Sequence, residues 1–384
     1  MRILIISRGY PSVRDPQFGS FERDHAEALT AIGHQVAVIS VDRRFRLYWR
    51  RLGVSRKKSA GISVYSSFLL PNVFFYIWGE KLYFHIAMLQ LKRLYRLIEK
   101  ECMSPDVICS HYLYNTAMAV NLKRYFHVPV VAIEHWSKLS SEKISPFVRW
   151  LGQKAYPQVD SLLAVSTSLA NRICQHFGIQ AKVIHNMVNG DFFKNRMSSD
   201  VVKCNECFTF VNVGSLFPIK GQDVLIKAFA KANFDNNVKL LIVGEGRRRM
   251  HLQNLVETLN MQEKVTLLGR KNKDDIIRIL SSSDVFVLSS LSENFSVAVI
   301  EGLAMGLPVV ATLCGGTDEC ISDFNGLLVP VGDIEGLAVA LKQIYVNYDK
   351  YDKVAIAEDC KREYSPDVIV KKLEQVFIEV VNRK

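Results

Sequence analysis

DVFVLSSLSENFSVAVIEGLAMGLPVV (284–310) puts an apolar run, a polar turn and a helical pattern in direct succession. DVFVLSS (284–290) is short, apolar and bounded by turn residues, so it reads as a buried strand. Ser292, Glu293, Asn294, Phe295 and Ser296 form the turn. From Val297 the pattern is helical, and it carries Glu301 inward on a face shared with Val297 and Ala304. A second apolar run, PVVAT (308–312), closes a parallel strand–helix–strand unit. A carboxylate two turns inside such a helix needs a donor, because an unpaired buried charge is costly. The N–H groups and positive dipole end at the helix start suit an anion such as a diphosphate. Two readings stand at this point. One is a nucleotide pocket, with N–H groups on phosphate and Glu301 on ribose hydroxyls. The other is a capped helix with one buried ion pair.

The same rhythm extends in both directions. RILIIS, a helix over 20–32 ended by Gly33, and HQVAVIS open the chain. DVICS (106–110), TAMAVNLKRYF, VPVVAIEH, a helix near 146–155, SLLAVS, LANRICQHFG and KVIHN follow. After 206 come FTFVNVGS, helix 221–233, VKLLIVGE, helix 248–260, VTLLG, helix 273–282 and, beyond the opening stretch, NGLLVP. Short apolar strands alternating with helices predict parallel sheets covered on both faces. Two such series predict an α/β protein of two Rossmann-like domains, 1–195 and 206–365, facing a central cleft. MSSDVVKCNEC loses periodicity, which places the linker at about 192–206.

Length and composition agree. A chain of 384 residues, 49% of them apolar, can bury two cores. MRILIIS lacks the basic and small-residue flanks of a signal peptide, and no apolar run is long enough to span a membrane. Eight scattered cysteines, with Cys204 and Cys207 the one C-x-x-C, fit a reduced cytoplasmic chain better than a metal site. Residues 1–200 carry 27 Lys and Arg against 14 Asp and Glu, whereas 201–384 carry 22 against 24. Residues 42–100 alone hold 13 basic against 3 acidic residues.

Local chemistry narrows the site. Lys220–Gly221 follows a strand and precedes a helix, where an ammonium complements a diphosphate leaving group. Gly244–Glu245–Gly246 resembles the start of a dinucleotide fingerprint, but position 249 is Arg249 where close helix–strand packing needs glycine, which argues against a dehydrogenase. His111 ends DVICSH at the carboxyl end of a parallel strand, where α/β ligands bind, although a lone histidine is more often a packing residue. Gly19, in Pro16–Phe18–Gly19–Ser20, lets backbone approach a phosphate. No D-x-D stands at a strand end, so metal independence is expected.

SENFSVAVIEGLAMGLPVVATLCGGTDECI resembles the signature of the retaining glycosyltransferases of family 4, with its Glu-x7-Glu pair. NVGSLFPIKGQDVLIKAF (212–229), LLIVGEGRRR (240–249), VTLLGRKNKDDI (265–276), VIHNMVNGDFF (183–193) and residues 10–40 match that family's order and spacing. The resemblance implies the GT-B fold, whose last helix, here 366–384, crosses back to the first domain. It implies a sugar taken from a UDP- or GDP-linked donor, the co-substrate, with no further cofactor and no metal. Glu293, Lys220 and His111 would be catalytic. Gly19, Gly214, Ser215, Lys220, Gly244, Glu245, Arg270, Asn294, Phe295, Ser296, Val297 and Glu301 would bind the donor, and Glu134 and His135 would line the acceptor side. Many relatives have Arg where this chain has Ser215, so Lys220 acts with backbone donors or another cation substitutes. The implied reaction is retaining transfer to a glycan or lipid-linked acceptor in surface polysaccharide or lipopolysaccharide assembly.

DRRFRLYWRRLGVSRKK mixes cations with Phe45, Tyr48 and Trp49, and FFYIWGEKLYFHIAMLQLKRLYRLIEK is aromatic and amphipathic. The window 42–100 therefore predicts peripheral binding to an anionic membrane surface on the inner face of the cell membrane, rather than to nucleic acid. A helix packed on a sheet with a solvated basic rim is the plainer alternative. Other functions open on the same fold are a sugar-nucleotide epimerase, a glycan phosphorylase and a non-catalytic membrane-surface binding protein.

Overall fold

The computed structural model describes residues 1–12, 14–15, 18–44, 53–70, 79–194 and 207–383. Pro16, Phe45, Tyr48, Trp49, the run 71–78, Cys204 and most of the linker lie outside the described residues. The chain divides into two compact units, Met1–His185 with Ile369–Lys384, and Asn186–Val368. The first division therefore falls earlier than the boundary at 195.

The first unit runs β1 (Arg2–Ser7), α1 (Ser20–Ala31), β2 (Gln35–Asp42), β3 (Gly53–Ser59), β4 (Ile62–Phe68), α2 (Glu80–Glu101), β5 (Val107–His111), α3 (Leu113–Phe126), β6 (Val130–Glu134), α4 (Pro146–Ala155), β7 (Ser161–Ala164), α5 (Thr167–Phe177) and β8 (Lys182–Val183). Its sheet has the order β3-β4-β2-β1-β5-β6-β7-β8. Every pair is parallel except the β3/β4 hairpin. β1 buries every residue after Arg2, as a strand covered on both faces must.

The second unit contains α6 (Gly190–Lys194), β9 (Phe208–Val213), α7 (Gln222–Ala232), β10 (Val238–Val243), α8 (Arg249–Thr258), β11 (Val265–Gly269), α9 (Lys273–Ser281), β12 (Val285–Leu288), α10 (Val297–Ala304), β13 (Val309–Thr312), β14 (Gly326–Val329), α11 (Ile334–Val346) and α12 (Lys353–Tyr364). α13 (Pro366–Asn382) begins here and ends among the residues of the first unit. The sheet order is β11-β10-β9-β12-β13-β14, all parallel. Phe210, Leu225, Phe229, Leu240, Val285 and Leu341 pack its core.

Both sheets reverse direction of growth at a central strand. β1 lies between β2 and β5, and β9 between β10 and β12. Ligands of open α/β sheets bind outside the carboxyl ends of the strands at such switch points.

The window 42–100 holds more regular structure than its sequence suggests. β3 is an exposed antiparallel edge strand whose Arg56, Lys57 and Lys58 discourage further pairing. α2 buries Tyr83, Phe84, Ala87, Leu91, Leu94, Tyr95 and Ile98 along one face. Those three aromatic rings therefore belong to the core, and the outward face is basic with Leu82 and Leu89 exposed. No helix among the described residues is long and apolar enough to cross a membrane.

Candidate active site

The loops leaving β9 and β12 are tied backbone to backbone. Gly221 sits at φ 60, and a Cβ there would lie 2.1 Å from the carbonyl oxygen of Ser289. The Ser289 hydroxyl donates to the Lys220 carbonyl at 3.1 Å, and the Leu291 N–H donates to the Ile219 carbonyl at 2.8 Å. This lock brings the Lys220 ammonium to 2.5 Å from Glu293 Oε1. The Ser290 hydroxyl donates to the same oxygen at 2.8 Å. The Glu293 N–H donates to the Cys314 carbonyl at 2.8 Å, which fixes the carboxylate's root against the loop after β13. The side chains of Lys220 and Glu293 are 25% and 13% exposed, so the pair is shielded yet reachable. α7 begins at Gln222, two residues after Lys220, and its N-cap Gly221 gives it no side-chain cap. Cation, carboxylate and uncapped helix start thus converge at the second sheet's switch point.

The neighbouring loops interlock in the same way. A Cβ on Gly244 would lie 1.8 Å from the Gly214 carbonyl oxygen. The Leu216 N–H donates to the Glu245 carbonyl at 3.0 Å, and the Arg248 N–H donates to the Leu216 carbonyl at 3.1 Å. Arg249 starts α8 and donates to the Leu267 carbonyl at 3.2 Å and to Glu245 at 3.3 Å, filling the space a dinucleotide turn keeps open. The Ser215 carbonyl accepts from the Gln222 amide at 3.2 Å. Arg270 is exposed just past β11. Arg247 was missed from sequence. It is exposed, and its guanidinium stands 5.6 Å from the Phe217 ring, beside the Lys220 loop. The run of three arginines after Gly246 was the available signal, but the loop pairing that brings it there is non-local.

Two expectations about the opening segment are corrected. Glu301 is half-buried rather than buried, on the side of α10 that carries half-buried Val297 and Ala298. The helix buries Val299, Ile300, Gly302, Leu303 and Ala304 instead, because Gly302 lies against Phe286 of β12. Phe295 turns into the protein, with its ring 5.6 Å from that of Tyr364. Ser296 caps α10 in position but makes no side-chain cap bond. Half-buried Asn294 completes the turn.

The first unit gathers a second cluster at the ends of β1, β5 and β6. His111, the last residue of β5, is fully buried, and its Nδ1 lies 3.1 Å from Nε2 of His135. The His25 ring is 5.1 Å from that of His111. Burial lowers His111 to about 3, with the Arg8 guanidinium adding to the effect. Burial and then His111 lower His25 to about 3, against the pull of Glu22. Both rings are therefore neutral near pH 7. Glu22 Oε2 and His25 Nδ1 are buried without a hydrogen-bond partner among the described residues. Gly19, at φ 80, is required sterically, since a Cβ there would lie 2.2 Å from the Gly9 carbonyl oxygen.

Glu134 is buried, with both carboxylate oxygens engaged. Its Oε1 accepts the N–H groups of His135 and Trp136 at 2.9 and 2.7 Å, and its Oε2 accepts the Tyr156 hydroxyl at 2.9 Å. Burial raises its pKa to about 7 despite these donors. Its work is to shape the 135–136 turn.

Known proteins share both halves. Residues 22–192 match the model for Glycosyltransferase Family 4, and 194–358 match that for Glycosyl transferases group 1. An uncharacterized glycosyltransferase of Methanocaldococcus jannaschii is 26% identical over 98% of both chains. A second one from that organism is 31% identical over 60% of this chain, a match spanning 62% of the relative. An N-acetylgalactosamine-N,N'-diacetylbacillosaminyl-diphospho-undecaprenol 4-alpha-N-acetylgalactosaminyltransferase of Campylobacter jejuni is 30% identical over 53% of this chain and 60% of its own. Among solved structures, sucrose-phosphate synthase of Thermosynechococcus elongatus superposes with TM-score 0.79 at 18% identity over the whole of both chains. Anabaena HepE, in complex with UDP and glucose, does so with TM-score 0.73 at 20% identity over 98% of this chain and 99% of its own. The chain belongs to the family 4 and group 1 glycosyltransferases and has their GT-B fold of two parallel-sheet α/β domains.

Proposed function

We propose that this glycosyltransferase works with retention of configuration, moving a sugar from a UDP- or GDP-linked donor to a lipid-linked or glycan acceptor in surface polysaccharide or lipopolysaccharide assembly. The observation that carries the reading is the Lys220–Glu293 pair at 2.5 Å, held at the second sheet's switch point beside the α7 N-terminus. A diphosphate arriving there competes with Glu293 for the Lys220 ammonium and takes up the α7 N–H groups. Arg247 supplies the second cation where Ser215 supplies none. The released Glu293 carboxylate then stands by the sugar and favours positive charge at its anomeric carbon. The acceptor oxygen attacks that carbon on the face the diphosphate leaves. The carbon–phosphate-oxygen bond breaks, and the leaving oxygen takes the acceptor's proton, giving a glycoside and a nucleoside diphosphate.

Gly214, Gly244, Glu245, Arg270, Asn294, Ser296, Val297 and Glu301 would form the remaining donor wall, and His135 would belong to the acceptor side. Chemistry of this kind needs no metal ion. The Campylobacter relative's name supports the lipid-linked acceptor, and the HepE complex with UDP is consistent with a nucleotide-sugar donor. A cytoplasmic site on the inner membrane face, reached through the outward side of α2, completes the proposal. The test is transfer from a panel of nucleotide sugars in the presence of a chelator. Wild type should form glycoside, and Glu293→Ala should lose at least a hundredfold of the rate. Equal rates in the two proteins refute the assignment.

A further inference from the structure

A cavity of about 300 Å³ lies within the first unit, lined by Arg8, Arg43, Lys138, Tyr112, Tyr114 and Trp136 among others. Ligand sites run from roughly 300 to 1,000 Å³, so this one suits a monosaccharide-sized group. Each of its cations lies near an aromatic face. The Arg43 guanidinium carbon is 3.2 Å from the Tyr114 centroid, that of Arg8 is 3.7 Å from Tyr112, and the Lys138 ammonium is 5.2 Å from Trp136. A stacked guanidinium keeps its in-plane donors for another partner.

Arg43 has no carboxylate at ion-pair distance among the described residues. Its neighbour Asp42 is occupied by Arg44, accepting from its N–H, Nε and Nη2 at 3.0, 3.1 and 3.0 Å. Burial lowers the Arg43 pKa, with the Tyr114 and Tyr83 hydroxyls opposing that shift. Arg8 is paired with Glu22 at 3.4 Å, which leaves Arg43 and Lys138 on the wall against a single carboxylate, Glu80. Tyr112 has φ 69, a conformation non-glycine residues rarely hold unless their surroundings impose it. Arg8 and Tyr112 also border the histidine cluster, since Arg8 acts on His111 and the Tyr112 ring is 5.2 Å from His135.

We infer that this cavity binds a sugar ring bearing an anionic group, with the ring against the aromatic faces and the anion on Arg43 and Lys138. The inference rests on the glycosyl-transfer reading and names the substrate class of its acceptor. The anion has two possible sources: a carboxylate on the ring, as in a uronic acid, or the phosphate that joins a sugar to a carrier.

Titration calorimetry on the full chain distinguishes them. The probes are methyl glucuronide, N-acetylglucosamine 1-phosphate, neutral methyl glucoside and inorganic phosphate. At least one charged sugar should bind about tenfold more tightly than both methyl glucoside and inorganic phosphate, as one charge-assisted contact requires. Arg43→Gln should remove that preference. Lys138→Gln, at an exposed position that leaves folding intact, should weaken it several-fold. Equal binding of charged and neutral sugars, phosphate alone binding as well as the phosphosugar, or a preference unchanged in Lys138→Gln would overturn the inference. Titration with UDP and GDP separates the two claims. If a nucleotide binds and no charged sugar does, only the cavity assignment falls. If a charged sugar binds and no nucleotide does, the UDP- or GDP-linked donor falls and the cavity assignment stands.

Discussion

Gly221→Ala tests the lock that builds the site. The backbone at 221 has φ 60 and ψ 25, which costs an L-residue about 1–2 kcal/mol. The new Cβ would lie 2.1 Å from the Ser289 carbonyl oxygen, a backbone atom that cannot swing away. Relief requires the two loops to part by about 1 Å, judged against ordinary van der Waals spacing. That movement stretches the Ser289–Lys220 and Leu291–Ile219 bonds, at about 0.5–1.5 kcal/mol each. The total is about 2–5 kcal/mol, or a fall of roughly 5–15 °C in the midpoint for a domain of this size. Gly332→Ala is the control, because Gly332 has φ 76 and nothing within 4 Å of its ideal Cβ. It should show the conformational cost alone, a few degrees. Scanning calorimetry of the full chain makes the comparison. Equal shifts in the two variants would refute the reasoning, since the carbonyl contact would then contribute nothing.

Glu134 gives a pH signature. Its folded pKa is raised from 4.5 to about 7, so the folded state binds more protons across that interval and loses stability as pH rises through it. Glu134→Gln should abolish this slope, worth about 3 kcal/mol between the two ends, as denaturant midpoints against pH will show. His25 and His111 act in the opposite sense, their folded pKa values being lowered from 6.5 to about 3. The stability tied to their neutrality is lost as pH falls below 6.5, so that limb of the curve should persist in the variant. For the membrane proposal, wild type should float with anionic vesicles at low salt and not with neutral ones. Replacing Arg93, Arg96 and Lys100 on the outward face of α2 by Gln should weaken that binding more than tenfold, at about 1 kcal/mol per cation. No preference for anionic vesicles would end the proposal.

The strands of the second half were legible because each is a continuous apolar run between turn residues, the pattern of a strand buried on both faces. β3 was not, because GVSRKKS is an exposed edge strand with no buried face to leave an alternation in the sequence. α2 was half legible: its amphipathic period was visible, but which face held the aromatic rings was decided by packing on the sheet. At the site, Lys220 and Glu293 were named through the family resemblance, since position alone left Lys220 as readily a solvated lysine. Their contact could not be read, since it depends on Gly221 crossing Ser289 across 68 residues of chain. The surroundings of Glu134 were not legible either, because the Tyr156 hydroxyl that meets it is 22 residues away in the chain.

The most direct test of the account is the stereochemistry of transfer. Proton NMR of the reaction mixture, followed from the first turnover with an α-linked nucleotide sugar, reads the configuration of the new bond. The account predicts an α-glycoside as the initial product, with no signal when Lys220 is replaced by Met. A β-glycoside as the first product, or undiminished transfer without Lys220, would contradict it.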